Sequence, residues 1–294
     1  MPDTVLDQAE EFNLPDALAV VAGGGELPCV QIDTPACTAR QYLLGATVTD
    51  WQPAGHDPVL FTADHAVFRE GKGIRGGVPV CFPWFSDHPT DPNAPAHGLV
   101  RAKPWHLTQT ALGPDGVDVE MVTNLDQLRA ELRTTFGPNL TVRLIVTNTS
   151  DTDQTFESAL HTYLTLGDIH QASVTGLEHA EYVDHLQSQE RLNQGDAPIT
   201  FTAETDRVYQ NTPATCVLHD PAMKRKITVE KLGSLSTVVW NPWIDKSKRL
   251  SDFGDDEYLG MCCIETANIA EHAVTLAPGE AHTTLVKIGV EKTG

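Results

Sequence analysis

The 294-residue chain carries 40 aspartates and glutamates against 20 lysines and arginines, a formal charge of -20. That balance excludes a nucleic-acid or anionic-membrane partner, because both need a dominant positive face. An anionic small molecule would have to be met by a few placed cations.

The length accommodates one large β domain or two ordinary ones. A single domain over 1–294 is expected, with residues 1–38 as an N-terminal extension of undetermined structure. The opening residues MPDTVLDQAEEFNLPDALAV put acids where a secretory signal has a basic region. No apolar run in the chain is long enough to span a bilayer, so a cytoplasmic location is expected.

From Thr4 to Leu18 the pattern suits a short helix or two, and Ala22 to Leu27 reads as a glycine turn. Strands follow. Ala39 to Trp51 alternates loosely, whereas Leu140, Val142, Leu144 and Val146 alternate cleanly with polar residues, the period of a half-buried strand. Asp126 to Thr134 reads as helical, with an extended segment as the equal alternative. Further strands are expected at Thr155 to Thr165, Thr215 to Leu218, Lys226 to Glu230 and Leu235 to Trp240, separated by Gly, Pro, Asn and Asp. At the end, Ala273 to Leu276 and His282 to Val290 flank Pro278-Gly279 and predict a terminal hairpin. Many strands without interleaved helices predict an all-β fold, a large antiparallel β-sandwich with a few short helices.

One stretch reverses the local sign of charge. Gly71 to Trp105, GKGIRGGVPVCFPWFSDHPTDPNAPAHGLVRAKPW, holds Lys72, Arg75, Arg101 and Lys103 but only two acids. Its glycines let backbone approach a ligand, its prolines stiffen loops, and Phe82, Trp84, Phe85 and Trp105 add flat apolar surface. Arginine forks beside bare backbone and aromatic plates suit a polar ring compound that carries an anion. A tightly turned β region with core aromatics is the equal alternative.

Two further places break the strand pattern. In Ala159-Leu160-His161-Thr162-Tyr163-Leu164 an imidazole and a phenol lie two apart, on one face of a strand. In Met261-Cys262-Cys263-Ile264-Glu265-Thr266-Ala267 a lone carboxylate ends an apolar run, and an unpaired buried carboxylate is costly enough to require a partner or a task. A structural histidine satisfied by a neighbour is the default for His161; Glu265 is evenly balanced. Together they could serve as general acid and base. No G-x-S-x-G elbow, Walker lysine or dinucleotide-binding glycine motif is present, and the 12 histidines lack metal-ligand spacing. The six cysteines show no C-x-x-C, and Cys262 and Cys263 would face opposite sides of a strand. Buried free thiols, no zinc site and no cofactor are therefore expected.

IRGGVPVCFPWF, AHGLVRAKPW, SALHTYLTLGDI with VTGL, TDRVY, VVWNPW and DDEYLGMCCIETANI stand in an order and spacing that closely resemble the D-hexose-6-phosphate mutarotases of the galactose-mutarotase-like superfamily. The similarity runs from about Gly45 to the C-terminus. The resemblance implies a β-sandwich with the sugar in a cleft on its concave sheet. It also implies His161 and Glu265 as catalytic residues, Arg75 and Arg101 as receivers of the phosphate, and Asp206 as a hydrogen-bond partner of the sugar. His97 falls beside the same pocket. Some relatives carry glutamine where this chain has Ala96, which bears on specificity more than on chemistry.

The expectation is thus a monomer that interconverts the anomers of a small-molecule hexose 6-phosphate without cofactor. Glu265 would be the base and His161 the acid, and a nearby carboxylate that raises the imidazole pKa would help. Three rivals remain: an epimerase of unphosphorylated hexoses, a non-catalytic sugar-phosphate binder, and a glycosidase. Arg75 and Arg101 oppose the first, since two guanidiniums in one pocket repel unless an anion joins them. A pure binder has no need of both His161 and Glu265, and a glycosidase would want a carboxylate pair.

Overall fold

A computed structural model describes residues 9–187 and 190–294. Two large antiparallel sheets carry the architecture. The first runs, in spatial order, through Glu190–Asn193, Glu181–Asp184, Thr205–Tyr209, Ser236–Asn241, Met261–Asn268, Ser158–Leu160 and Val80–Cys81, with Tyr163–Thr165 also paired to Met261–Asn268. The second contains nine strands and has Leu140–Asn148 near its middle, between Ala281–Lys292 and Leu128–Phe136. Leu18–Ala22, Pro28–Asp33, Cys37–Tyr42 and Val48–Pro53 form a four-stranded meander beside them. No helix among the described residues is long and apolar enough to cross a membrane.

The clean alternation of Leu140–Asn148 has its cause in the register. Leu140, Val142, Leu144 and Val146 are buried while the intervening residues are half-buried. Leu144 lies opposite Leu132 and Val142 opposite Val286, so apolar side chains from three neighbouring strands stack on one face. Ile264, Val239 and Ala267 of the first sheet join them in a single continuous core.

Of the two readings of Asp126 to Thr134 the extended one holds: Leu128–Phe136 is a strand, with Asp126 at positive φ in the turn before it. Cross-strand packing outweighs the helical propensity of Leu, Arg, Ala and Glu there. The expected terminal hairpin does not form. Val274–Leu276 pairs with Gln154–Phe156, whereas Ala281–Lys292 pairs with Leu140–Asn148 and Arg225–Leu232. The Pro278-Gly279 turn therefore passes the chain from one sheet to another. Near the N-terminus the helical expectation holds only for the 3-10 turn Ala9–Phe12, since Leu18 already begins a strand; Thr4 to Gln8 lies outside the described residues. Two strands of the meander fall within 1–38, which is therefore integral to the fold beyond its first residues.

Candidate active site

The strand register assembles the site. Leu160 lies opposite Thr266 and Tyr163 opposite Cys263, so His161, at the break between two short strands, stands across from Glu265. Val238 lies opposite Glu265, and Trp240 lies opposite both Cys263 and Asp206. Cross-strand partners share a face. Asp206, Trp240, Glu265, Cys263, His161 and Tyr163 consequently lie on one side of the first sheet.

His161 Nε2 is 3.4 Å from Glu265 Oε1, and both side chains are almost wholly buried. The Tyr163 ring stacks on the imidazole at 4.7 Å with 11° between planes, so the phenol and imidazole do share a face, as their spacing predicted. His97 meets His161 edge-on at 5.6 Å. His97, His161 and Glu265, with Arg75, Arg101, Asp206, His185, Trp240 and Lys246, line a cavity of about 250 Å³. A larger cavity of about 310 Å³ lies elsewhere, lined mainly by apolar residues such as Phe12, Leu43 and Trp105, with Glu70 and His106 among them.

The Gly71–Trp105 stretch folds over this cleft by close backbone contact. Gly98, at φ 78°, leaves no room for a Cβ, which would lie 2.1 Å from the carbonyl oxygen of Phe82. The preceding residue, His97, also has positive φ, and its Nδ1 accepts a hydrogen bond from the Ser86 N–H at 3.2 Å. That bond requires an unprotonated Nδ1. Burial first, then the fields of Arg101, Arg75 and Lys246, push the His97 pKa down to about 3. Glu157 pins the rim by accepting from the Phe85 N–H at 3.0 Å.

Arg75 differs from expectation. Its Nε and Nη2 donate to Asp252 at 3.2 and 3.1 Å, and its Nη1 donates to the Tyr163 hydroxyl at 3.3 Å. Burial opposes its charge, yet Tyr163 and Asp252 together hold its pKa above the ordinary value. The anion needed to relieve the arginine pair is therefore already supplied in part by the chain itself. Arg101 donates to the Ala96 carbonyl at 2.8 Å and has no carboxylate partner among the described residues. Ala96 contributes through its backbone, whatever side chain it carries.

The expected rise in the His161 pKa is also reversed. Burial, then the fields of His97, Arg101 and Arg75, hold the imidazole well below its usual value. Burial, and then Asp206, hold Glu265 well above the usual carboxylate range. Both shifts favour the uncharged forms, a neutral imidazole beside a protonated carboxyl. Asp206 is raised by burial despite His185 and Lys246, which lie 3.7 and 3.9 Å from its oxygens. Lys246 also reaches Glu204 at 3.1 Å and sits 5.7 Å from the Trp240 ring centre.

All six expected site residues, Arg75, His97, Arg101, His161, Asp206 and Glu265, line the one cavity. Residue reading missed Asp252, His185 and Lys246. Trp240 and Asp252 fall in or beside the quoted VVWNPW and DDEYLG motifs, but no local signal marks Asp252 as the partner of an arginine 177 positions away. The six cysteines are free and buried, as their spacing predicted.

A β-sandwich with an opposed histidine and glutamate in a sheet-face cleft is a frame for acid–base chemistry on a small polar ring. The Aldose 1-epimerase family matches residues 28–289, and the chain belongs to that family. It is 36% identical over 265 residues to a protein of Cenchrus ciliaris named "Putative glucose-6-phosphate 1-epimerase", covering 83% of this chain and 78% of that one. An Escherichia coli protein of the same name is 35% identical over 266 residues, covering 87% of this chain and 88% of that one. The crystal structure of a "putative mutarotase" from Salmonella typhimurium superposes with a TM-score of 0.89 at 28% identity, over 96% of each chain.

Proposed function

We propose that the protein is an isomerase that interconverts the α and β anomers of glucose 6-phosphate. The observation that carries this reading is a single cavity lined both by the opposed His161 and Glu265 and by Arg75 and Arg101. The names of the Cenchrus ciliaris and Escherichia coli relatives point the same way.

Mutarotation needs one group to take the proton of the anomeric hydroxyl while another protonates the ring oxygen. The C1–O5 bond breaks, the open aldehyde turns about C1–C2, and O5 attacks the other face of C1. Glu265 takes the first proton and His161 delivers the second; on reclosure the roles exchange. Burial disfavours the charged pair this requires. The substrate phosphate offsets the positive field of Arg101 and Arg75 on His161 and so favours the imidazolium when the site is filled. Asp206, held by His185 and Lys246, offers an acceptor to sugar hydroxyls, and His97 borders the same pocket.

An anomerisation assay comparing glucose 6-phosphate with glucose tests the reading. Fast turnover of the phosphate ester and slow turnover of the free sugar are expected. Equal turnover would indicate an epimerase of unphosphorylated hexoses, and none at all a binding protein.

A further inference from the structure

Beneath the cleft, three donors of different chemistry converge. Strand alternation sends Cys263 and Glu265 to the same face, and the register opposes His161 to Glu265 and Tyr163 to Cys263. One ligand atom from each of His161, Cys263 and Glu265 lies within 4.8 Å of the others, and all three residues are buried. Two buried polar atoms of this group, His161 Nδ1 and Glu265 Oε2, have no hydrogen-bond partner among the described residues. The approach of His161 Nε2 to Glu265 Oε1, at 3.4 Å, is longer than a charge-assisted hydrogen bond.

We propose that His161, Cys263 and Glu265 form an inhibitory site for a thiophilic divalent cation of the zinc class, which disables the acid–base pair while bound. Imidazole, thiolate and carboxylate are the donors such an ion takes. A tetrahedral ion with bonds of about 2.0–2.3 Å spaces its donors about 3.3–3.6 Å apart. The His161 and Glu265 atoms, 3.4 Å apart, already meet that spacing, and only Cys263 needs to draw closer. A hard cation such as magnesium or calcium would want several oxygen donors, and the cluster has one carboxylate.

Charge favours the assembly too. Each group resists ionising alone in this buried place, but a divalent ion with one thiolate, one carboxylate and one neutral imidazole has no net charge. Binding releases the Cys263 thiol proton, and a second where Glu265 holds one, so it tightens as pH rises. Glu265 and His161 line the cavity, which provides the entry path and leaves a fourth position for water or a sugar hydroxyl. The expectation of no zinc site rested on local spacing, and here the donors come together only across strands. The ion is an inhibitor and not a cofactor, because it occupies the lone pairs that proton transfer needs.

The spectroscopic test is independent of the proposed activity; only its inhibition arm rests on that reading. Titrating the reduced protein with cobalt(II) should produce a thiolate-to-cobalt charge-transfer absorption with the strong visible bands of a tetrahedral ion, at one equivalent. Cys263→Ala should lose the charge-transfer band, and Cys262→Ala, whose thiol faces the core, should keep it. In the activity arm, zinc should inhibit reversibly on addition of a chelator. Cys263→Ala should keep its turnover while the inhibitory zinc concentration rises by more than about 100-fold, beyond what loss of an outer-shell partner causes. Should the alanine variant fold poorly, Cys263→Val fills the space and serves the same purpose. A parent protein without the band, or a Cys263 variant that keeps it, overturns the site; a protein that binds cobalt in this way yet turns over no sugar overturns the function instead.

Discussion

His161 and Glu265 are buried, opposed and, among the described residues, without other side-chain partners, so each is free to exchange a proton with a bound sugar. Replacing them with the near-isosteres His161→Asn and Glu265→Gln should lower kcat by about 10²–10⁴-fold while leaving the fold intact. Stopped-flow polarimetry beside circular dichroism checks this; normal turnover by either folded variant would refute the assignment. Exhaustive chelation should not lower the rate, and a divalent ion that restored a lost rate would refute the metal-free mechanism.

The two arginines should behave differently, because Arg75 is tied to Asp252 and Arg101 is not. Contacts to a phosphate remote from C1 are about equally strong in ground and transition states, so they act mainly on KM. A charge-assisted bond is worth about 1.5–3 kcal/mol, so Arg101→Ala should raise KM for glucose 6-phosphate by about ten- to a hundred-fold. Lysine there should rescue only in part, lacking the planar fork. Arg75→Ala should be worse, since it leaves the buried Asp252 carboxylate only the more exposed Lys72, 3.5 Å away, to offset its negative charge near the phosphate. Adding Asp252→Asn to Arg75→Ala should then lower KM again. If the double variant is no better than the single one, the pairing has no electrostatic role in binding.

His97 carries a stability prediction. Its folded pKa, about 3, lies below the ordinary 6.5. Between these values the unfolded chain binds a proton that the native one refuses, so stability falls as pH drops from 6.5 towards 3 and this contribution is constant below that. Asparagine tolerates the positive φ at this position, so His97→Asn should flatten that part of the urea-denaturation profile. An unchanged slope would mean that His97 titrates normally.

At the scale of elements, the hairpin Cys216–Asp220 with Arg225–Leu232 carries a buried internal ion pair whose two members also reach backbone outside the hairpin. Arg225 Nε donates to Asp220 at 3.1 Å, and its other nitrogens reach the carbonyls of Asp57, Pro58 and Thr165. Asp220 in turn accepts from the Gly167 N–H at 3.1 Å. Removing one partner leaves the other buried and uncompensated, which costs about 3–5 kcal/mol. Arg225→Ala should lose about that much in chemical denaturation while KM changes little. A loss below 1 kcal/mol would show that the N–H groups of Gly167 and Met223, with water, satisfy Asp220 without the guanidinium. The same scale explains why the terminal hairpin was misjudged. A Pro-Gly turn between two apolar runs predicts a reversal of direction, and the reversal occurs, but each run finds its hydrogen-bond partners on a different sheet.

Over the whole molecule the charge of -20 repels itself, and the few cations of the cleft form a local exception. Screening shortens to about 10 Å at 0.1 M salt and about 3 Å at 1 M. Raising a non-coordinating salt should therefore raise Tm by relieving self-repulsion, while raising KM for the phosphorylated sugar by weakening its attraction to Arg101. Differential scanning fluorimetry and the anomerisation assay, run over one salt series, check both. A Tm that falls with salt would mean that attractive ion pairs outweigh the acidic surface.

The sequence by itself determined the all-β class, the half-buried strand at Leu140–Asn148, the face shared by His161 and Tyr163, and the membership of the mutarotase-like superfamily. These follow from period-two alternation and from motifs whose residues are near in sequence. Only the tertiary structure decided that His161 stands opposite Glu265, that Arg75 is already held by Asp252, and that Cys263 lies under the catalytic pair. Those relations join residues about 100 positions apart or more through strand register, which depends on how several strands pack at once. The direction of the His161 pKa is likewise decided there, because burial and then the fields of His97, Arg101 and Arg75 push it down.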